Sequence, residues 1–486
     1  PLAGEGPGVR ALSLCALAIF LIGATPPPPP PPPAVGVTLV PLSGARRTDA
    51  VLPGHLLGVA LPKAADGRRQ IVVLTTPDDP KAEGTPKGPR SLYLIDPERA
   101  GAPRRLLEGL PAEANALAAA DLDGDGTEEI LLGEPGKLHA LGTPEAPASR
   151  LLLETAGLDL RRSSLQEGPL QVPTVGRLRT WTFDGGRPVA GPEHELPVRA
   201  SRERQALRLS SLPVTSIQGF LAVGPEEHGK LRLRTILIGA DGKRTEAWSQ
   251  LPGREDILGY RYVTLEGRPA LIVTTTDAEK MGVFAHHRFR LFPLTADRSR
   301  SGQAPSLAFE TESNRWFSVD PVITDLDRDG KEDLVVIQPE GMAGGDLVID
   351  TFFGQGNGRF ERPRRLKLSN LESRSWSFGR DVTGDGVADL VTLGKTGLGI
   401  FAGTADPRRD LLDRKPRQTV EIGAARETVT VSVGVGTEGV ETGSTRSANL
   451  GSPHLEDLDG NGRPEVLLFS RNANGRGRVT VVRLGG

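Results

Sequence analysis

One nine-residue acidic motif occurs four times in this chain of 486 residues and limits the possible folds more than any other feature. Each copy has oxygen-bearing side chains at positions 1, 3, 5 and 9 and glycine at position 6. A short, mostly aliphatic run follows each copy. The copies begin at Asp121, Asp325, Asp381 and Asp457. The fold must therefore repeat one acidic loop, followed by one buried segment, at four places.

The spacing of these acids predicts loops that enclose a hard cation such as calcium, which prefers about six to eight oxygen ligands. Alternate residues of a tight loop can point inward, position 7 can offer its backbone carbonyl, and glycine tolerates a positive φ at position 6. Without a cation the clustered carboxylates would repel each other. The candidate metal ligands are Asp121, Asp123, Asp125, Thr127 and Glu129; Asp325, Asp327, Asp329, Lys331 and Asp333; Asp381, Thr383, Asp385, Val387 and Asp389; and Asp457, Asp459, Asn461, Arg463 and Glu465.

The motif has two other interpretations. An EF-hand would need glutamate at position 12 and a helix on each side, but position 12 is Leu132, Val336, Thr392 or Leu468, and the apolar runs resemble buried strands. A single copy could also be a metal-free Asp-Gly hairpin turn. Four copies with the same constrained positions favour the calcium loop.

The number of carboxylates differs between the copies. The copies at 121 and 325 have four each, whereas threonine replaces one acid at 383 and asparagine replaces one at 461. Because ligand charge tunes calcium affinity, we expect the first two loops to bind calcium more tightly.

The motif and the strand after it resemble the FG-GAP/VCBS repeat, the blade unit of integrin-α-type β-propellers. Residues 348–360, VIDTFFGQGNGRF, are similar to the strand and glycine-rich turn that such repeats carry between calcium loops, and residues 398–406, LGIFAGTAD, are a weaker version. The resemblance implies an all-β, seven-bladed propeller with structural calcium in about four blades. It also implies an unidentified protein or glycan ligand.

The spacing of the motifs predicts the number of repeats. Copies one and two are 204 residues apart, which leaves room for two further repeats without working metal loops. Degenerate traces occur at 61–76, with Asp66-Gly67 before a strand, and at 262–276, and 212–224 is the predicted place of a third. The total is seven. Such a ring is often closed by pairing strands from both chain ends, and the predicted strand at 35–42 or the one at 478–484 could supply that closure.

The N-terminal segment predicts export. Residues 11–24 are uncharged, follow Arg10 and are shorter than the roughly 20 apolar residues of a membrane span. Eight prolines, Pro26–Pro33, follow as a stiff spacer. We therefore expect a signal-peptide-like leader at 1–24, a Pro-rich linker at 25–34 and the propeller at 35–486, in a secreted, periplasmic or cell-surface protein. A buried strand or helix at 11–24 remains the alternative.

Composition and motifs favour binding over catalysis. The net charge of −2 does not suggest nucleic acid as a partner, and we expect a monomer whose mature domain does not insert into a membrane. The sequence has no GxSxG, HExxH or Walker A motif, and its single cysteine, Cys15, lies in the leader. The expected function is an exported calcium-binding module for binding, adhesion or structural interaction, not an enzyme. The alternative is a carbohydrate-active enzyme with its site in the propeller channel.

Overall fold

The structure, a computed structural model, describes most of the chain after residue 44. The described residues are 45–77, 88–98, 102–160, 170–174, 177–195, 210–211, 218–238, 244–277, 284–294, 304–314, 320–340, 345–369, 371, 375–394, 397–422, 427–428, 433–434, 453–471 and 476–484. By its internal contacts the chain divides into Pro1–Leu39 and Val40–Gly486. The predicted leader, linker and first strand (35–42) lie outside the described residues, so those boundaries stay predictions.

Every regular element in these described ranges is a β-strand, and the strands form eight sheets of four or five strands and one separate two-stranded hairpin. We number the sheets 1 to 8 in chain order. Within the described part of the chain, no helix is long and apolar enough to span a membrane.

Sheets 1 to 4 consist of consecutive antiparallel strands. Sheets 1, 2 and 4 are meanders, whereas in sheet 3 the last strand pairs with the second strand rather than with the third. They contain β2 (His55–Ala60), β3 (Ile71–Thr76), β4 (Arg90–Ile95) and β5 (Arg104–Leu110); β6 (Ala116–Ala120), β7 (Glu129–Glu134), β8 (Lys137–Gly142) and β9 (Pro147–Glu154); β10 (Leu170–Thr174), β11 (Arg177–Asp184), β12 (Arg187–Ala190) and β13 (His194–Glu195); and β14 (Ser210–Ser211), β15 (Gln218–Glu227), β16 (Lys230–Ile238) and β17 (Arg244–Pro252).

Sheets 5 to 7 repeat the meander, and sheet 8 combines strands from both ends of the described chain. They contain β18 (Glu255–Leu265), β19 (Arg268–Asp277), β20 (Phe284–Pro293) and β21 (Leu307–Asn314); β22 (Asp320–Thr324), β23 (Asp333–Glu340), β24 (Asp346–Phe352) and β27 (Arg364–Leu368); β28 (Ser375–Arg380), β29 (Asp389–Leu393), β30 (Gly397–Phe401) and β31 (Gln418–Glu421); and β34 (His454–Glu456), β35 (Glu465–Arg471), β36 (Gly477–Arg483) and β1 (Arg46–Val51).

Four short strands complete the pairing. β25 (Gly354–Gly356) and β26 (Arg359–Phe360) form a hairpin inside the 348–360 segment. β32 (Glu427–Thr428) pairs with β35, and β33 (Val433–Gly434) pairs in parallel with β2.

The expected number of seven repeats is not confirmed, because the described strands form eight sheets. Between the first and second acidic motifs lie three further sheets, 3 to 5, rather than two. The predicted trace at 61–76 covers the connection after β2 and the whole of β3, and the trace at 262–276 covers the end of β18 and most of β19. The predicted trace at 212–224 overlaps β15, while 212–217 lie outside the described residues. Sheet 3 was missed because two residues join β10 to β11, too few for an acidic loop that could mark the repeat.

Seven hydrophobic clusters lie between sheets that are neighbours in this order. They join sheets 1 and 2, 2 and 3, 4 and 5, 5 and 6, 6 and 7, 7 and 8, and 8 and 1. In β7, Ile130 and Leu132 pack towards sheet 1, while Leu131 packs towards sheet 3. Both faces of such a strand are buried, which explains why the run after each motif is continuously apolar rather than alternating.

Sheet 8 pairs the beginning and the end of the described chain. β1 lies antiparallel to β36, with Arg46 opposite Arg483 and Val51 opposite Arg478. The predicted pairing of the two chain ends is thus confirmed for the C-terminal strand, whereas its partner is Arg46–Val51 rather than 35–42.

Candidate metal centres

The four acidic motifs occupy equivalent places in four sheets. Each connects the first strand of its sheet to the second, between β6 and β7, β22 and β23, β28 and β29, and β34 and β35. We name them loop 121 (121–129), loop 325 (325–333), loop 381 (381–389) and loop 457 (457–465). The predicted strand after each motif is confirmed. Strands on both sides exclude the EF-hand interpretation.

The four loops share one set of backbone hydrogen bonds. The carboxylate at position 1 accepts the N–H of position 6 at 2.6–3.0 Å. The side-chain oxygen at position 5 accepts the N–H of position 7 at 2.7–3.0 Å. The carboxylate at position 9 accepts the N–H of position 2 at 2.8–2.9 Å. The spacing of the motif therefore defines a folded loop in which each predicted acid has a structural partner.

Two positions in each loop lie in the left-handed region of backbone conformation. Position 6 has φ of 81–87° and is always glycine, as the sequence predicted. Position 4 has φ of 75–81° in three loops, where it is also glycine. In loop 325 position 4 is Arg328, with φ of 60°, a conformation that side chains other than Gly, Asn and Asp rarely adopt.

The acids at positions 1, 3 and 9 converge in three of the four loops. Carboxylate oxygens of Asp121, Asp123 and Glu129 lie within 4.8 Å of one another, and so do those of Asp325, Asp327 and Asp333 and of Asp457, Asp459 and Glu465. Loop 381 has Thr383 at position 3 and so lacks the third acid. The position 5 side chains are not part of these triads, and each accepts the N–H of position 7.

The carboxyl group at position 9 has a raised pKa in every loop. Burial is the largest cause for Glu129, Asp333, Asp389 and Glu465, since it penalises the ionised form. Neighbouring acids of the same loop raise the pKa further at three of them. Unit charges about 4 Å apart repel by about 1 kcal/mol in water and about 4 kcal/mol near a protein surface. A cation at the triad would offset that repulsion, so the donor set fits a hard metal ion.

The glycine-rich segment after the third strand packs directly on its acidic loop. Gly354 donates its N–H to Asp333 at 2.7 Å, and Gly403 donates its N–H to Asp389 at 2.9 Å. A Cβ atom on Gly354 would overlap the carbonyl oxygen of Glu332 at position 8, and one on Gly403 would lie 2.5 Å from the equivalent oxygen of Ala388. Only glycine fits there. Both elements of the repeat thus form one site.

Sequence reasoning missed the residue at position 8. Glu128 accepts the N–H of Lys63 at 2.9 Å, and Glu332 accepts the N–H of Glu266. Both donors lie in the corresponding turn of the preceding sheet. The recurrence of glutamate before the position 9 acid in two copies was the available signal, but its partner is distant in sequence.

Sheet 1 has a loop of the same shape without the acid triad. Gly67 has φ of 84°, and Asp66 accepts the N–H of Arg68 at 3.0 Å, as position 5 does elsewhere. The side chains at positions 1, 3 and 9 are Pro62, Ala64 and Gln70, so this loop lacks the three carboxylates of a metal site. The predicted degenerate repeat is confirmed.

Comparison with known families identifies the repeat. The model for the FG-GAP-like repeat matches residues 325–392, from the first acid of loop 325 into β29. Residues 325–392 form an FG-GAP-like repeat. The match confirms the resemblance drawn from the motif. It covers loop 325, the glycine-rich segment 348–360 and loop 381.

Solved structures show only distant likeness to the whole chain. A structure of Kluyveromyces lactis Hsv2 with its complete loop 6CD shares 12% identity over 76% of this chain and 99% of its own, with a TM-score of 0.35. A protein from Lactobacillus plantarum shares 12% identity over 77% and 88%, with a TM-score of 0.36. A functionally unknown protein from Desulfotomaculum acetoxidans shares 12% identity over 71% and 91%, with a TM-score of 0.35. These TM-scores are too low to describe this fold, which is therefore defined by its own strand pairings.

The search of curated proteins finds no match.

Proposed function

We propose that the chain is an exported, calcium-binding β-propeller of eight blades that serves as an interaction module. The observation that carries the proposal is the recurrence of one hydrogen-bonded acidic loop at the same place in four sheets, three times with a converged carboxylate triad. The match to the FG-GAP-like repeat supports it.

The order in which the hydrophobic clusters join the sheets supports a closed ring. Each described cluster joins neighbouring sheets, and sheet 8 packs against both sheet 7 and sheet 1. The first strands of neighbouring sheets contact each other, as β2 with β6, β22 with β28 and β28 with β34. Such contacts are expected where the first strand of each blade lies nearest the axis. Eight blades fall within the usual range for propellers.

Calcium is the cation that the donor atoms favour. The triads consist of carboxylate oxygens alone, and their members include no histidine or cysteine. Hard oxygen ligands suit calcium or magnesium, and loops built from several carboxylates with backbone carbonyls are typical of calcium. Asp121, Asp123 and Glu129 would hold the ion in loop 121, with equivalent residues in the others. The ion would neutralise the acids and so stabilise the connection between first and second strands.

The proposed role is binding, adhesion or structural interaction with a protein or glycan, by a monomer outside the cytoplasm. Extracellular calcium would keep such loops filled, and a body without cysteine would gain from metal the stability that disulfides give other exported proteins. Catalysis is not part of the proposal.

Thermal unfolding with millimolar calcium and with excess chelator tests the metal sites. A site bound at one hundred times its Kd adds about 2.7 kcal/mol to the free energy of unfolding, so the melting temperature should rise with calcium. Asp123→Ala should reduce that rise. The matched control is Asp66→Ala, in the equivalent loop without a triad, and should leave the rise unchanged. Equal melting temperatures of the wild type in both conditions would refute calcium binding.

Arrays of glycans and surface proteins, probed with the full chain in calcium and in chelator, test the binding role. Calcium-dependent capture of a defined ligand is expected, and it should weaken in Asp123→Ala.

A further inference from the structure

Arg408 lies in a structured connection of sheet 7 that folds back towards loop 325. The connection spans residues 402–417, between β30 and β31. It is held by the pairing of Gly403 with Leu412 and by the N–H of Asp413, which donates to Ala402 at 2.9 Å. Leu411 and Leu412 are buried in the cluster between sheets 6 and 7. The position of Arg408 is therefore fixed by packing.

The guanidinium of Arg408 contacts two acids of loop 325. Its Nε donates to Asp327, and its Nη2 lies 3.7 Å from Asp329. Its Nη1 donates to Glu361 at 2.8 Å, and the group lies 4.7 Å above the ring of Phe353. Glu361 and Phe353 give Arg408 contacts that do not depend on the acids of the loop. Asp327 is only 8% exposed at its side chain, so this ion pair is poorly screened by water.

Among the described residues, the acids at positions 1, 3, 5 and 9 contact more positively charged side chains in loop 325 than in the other loops. Lys331 also donates to Asp329, at 2.9 Å. In loop 381, Arg417 lies 3.3 Å from Asp385, and in loop 457, Arg483 donates to Glu465 at 2.9 Å. Among the described residues, no ion pair involves Asp121, Asp123, Asp125 or Glu129, while the fifth acid of loop 121, Glu128 at position 8, pairs with Arg69 at 3.2 Å. Two loops with identical carboxylate counts therefore differ in how far the protein itself neutralises them.

We propose that Arg408 is a built-in counter-ion of loop 325 that competes with calcium for Asp327 and Asp329. This inference rests on the proposed calcium function and deepens it. Loop 121 is then the high-affinity site, and loop 325 fills only at higher calcium concentration, when calcium displaces Arg408 from Asp327. Filling loop 325 is thus coupled to the 402–417 connection. Counting carboxylates alone gave loops 121 and 325 equal rank, and the contacts of Arg408 separate them.

Calcium titration calorimetry on the full chain tests this competition. In Arg408→Gln the competitor is gone, so one binding phase should become tighter by about tenfold, equal to about 1.4 kcal/mol. Adding Asp327→Ala to that variant should abolish the gain. Arg409→Gln is the matched control, because Arg409 is the next residue, carries the same charge and has a side chain that is 84% exposed. It should leave every phase unchanged.

Melting temperatures of the same variants give a second readout. In chelator, Arg408→Gln should melt below the wild type because Asp327 loses its partner, and calcium should remove this difference. A variant that folds only in calcium also supports the proposal. Arg408→Lys keeps the charge and should fall between the two.

Two results would overturn the inference. One is an unchanged set of binding phases in Arg408→Gln while Asp123→Ala still removes a phase, which would spare the calcium function. The other is an Arg408→Gln variant that is unfolded in calcium as well as in chelator, which would make Arg408 a packing residue over Phe353. If the wild type binds no calcium, the proposed function itself fails.

Discussion

At the scale of single residues, the choice of aspartate or glutamate at position 9 varies with the contact that its second carboxylate oxygen makes. Where position 9 is aspartate, in loops 325 and 381, its second oxygen accepts the N–H of Gly354 or Gly403. Where it is glutamate, in loop 457, that oxygen accepts a bond from Arg483. The longer side chain accompanies the absence of the glycine contact.

Gly354→Ala should lower the free energy of unfolding by about 1–3 kcal/mol, the usual cost of forcing extra atoms into a packed site. The added Cβ would overlap the carbonyl oxygen of Glu332, which cannot move without disturbing loop 325. Urea unfolding measures the change. Gly345→Ala, in the same sheet, is the control, because a Cβ there meets nothing within 4 Å. Equal stability of the two variants would contradict the packing argument.

At the scale of the element, each acidic loop is a balance between hydrogen bonds that fold it and charges that repel. The bonds from positions 2, 6 and 7 are made within the loop. The pKa of the position 9 carboxyl is raised because ionising this buried acid next to the other acids of the loop is unfavourable. Metal binding and protonation are alternative ways to relieve it.

The stabilisation by calcium should shrink as the pH is lowered from 7 towards about 4. A carboxyl whose pKa is raised on folding destabilises the metal-free fold once it is ionised, so this cost grows as pH rises through the raised pKa. Calcium needs the ionised form, so its contribution is present above that pKa and is lost below it.

The difference between melting temperatures in calcium and in chelator, measured against pH, checks this expectation. The difference is needed because other acids titrate in the opposite sense. Burial opposes ionisation of Glu255, but hydrogen bonds from Arg290 and Thr275 outweigh it and lower its pKa, so that its contribution is lost as pH falls. A calcium effect that stayed constant from pH 7 to 4 would show that the position 9 acids are not ligands.

At the scale of the whole molecule, sheet 8 joins the two ends of the described chain. β1 adds Ala50 to the cluster between sheets 8 and 1, and Leu52 directly after it is fully buried. Asp49 accepts bonds from Thr480 at 2.6 Å and from Arg478 at 3.2 Å. A strand from one end of the chain thus completes a sheet made by the other.

Removing residues 1–52 should destabilise the fold by about 3 kcal/mol or more, since burial of one leucine side chain alone contributes about 1.5–3 kcal/mol. Removing residues 1–44 keeps β1 and should therefore destabilise the fold less than removing residues 1–52. Differential scanning calorimetry of both truncations measures the effect. Equal melting temperatures would show that β1 is not needed to close the structure.

The sequence by itself determined the local parts of this protein. It predicted the acidic loops, the buried strand after each, the degenerate loop at Asp66 and the FG-GAP-like repeat. These features are readable because their contacts span few residues. The bond from Gly126 to Asp121, for example, crosses five positions. Position 4 was missed although glycine repeats there, since its left-handed φ becomes visible only with the backbone.

Only the tertiary structure decided how many sheets there are and what faces each loop. The contact of Arg408 with Asp327 joins residues 81 positions apart, and that of Thr480 with Asp49 joins residues 431 positions apart. No spacing rule in the sequence encodes such pairs, because they depend on the order in which sheets pack. Sheets 3 and 4 carry no acidic motif, and so their number had to come from strand pairing. The same limit applies to the ranking of the metal loops, which depends on Arg408 from the neighbouring sheet.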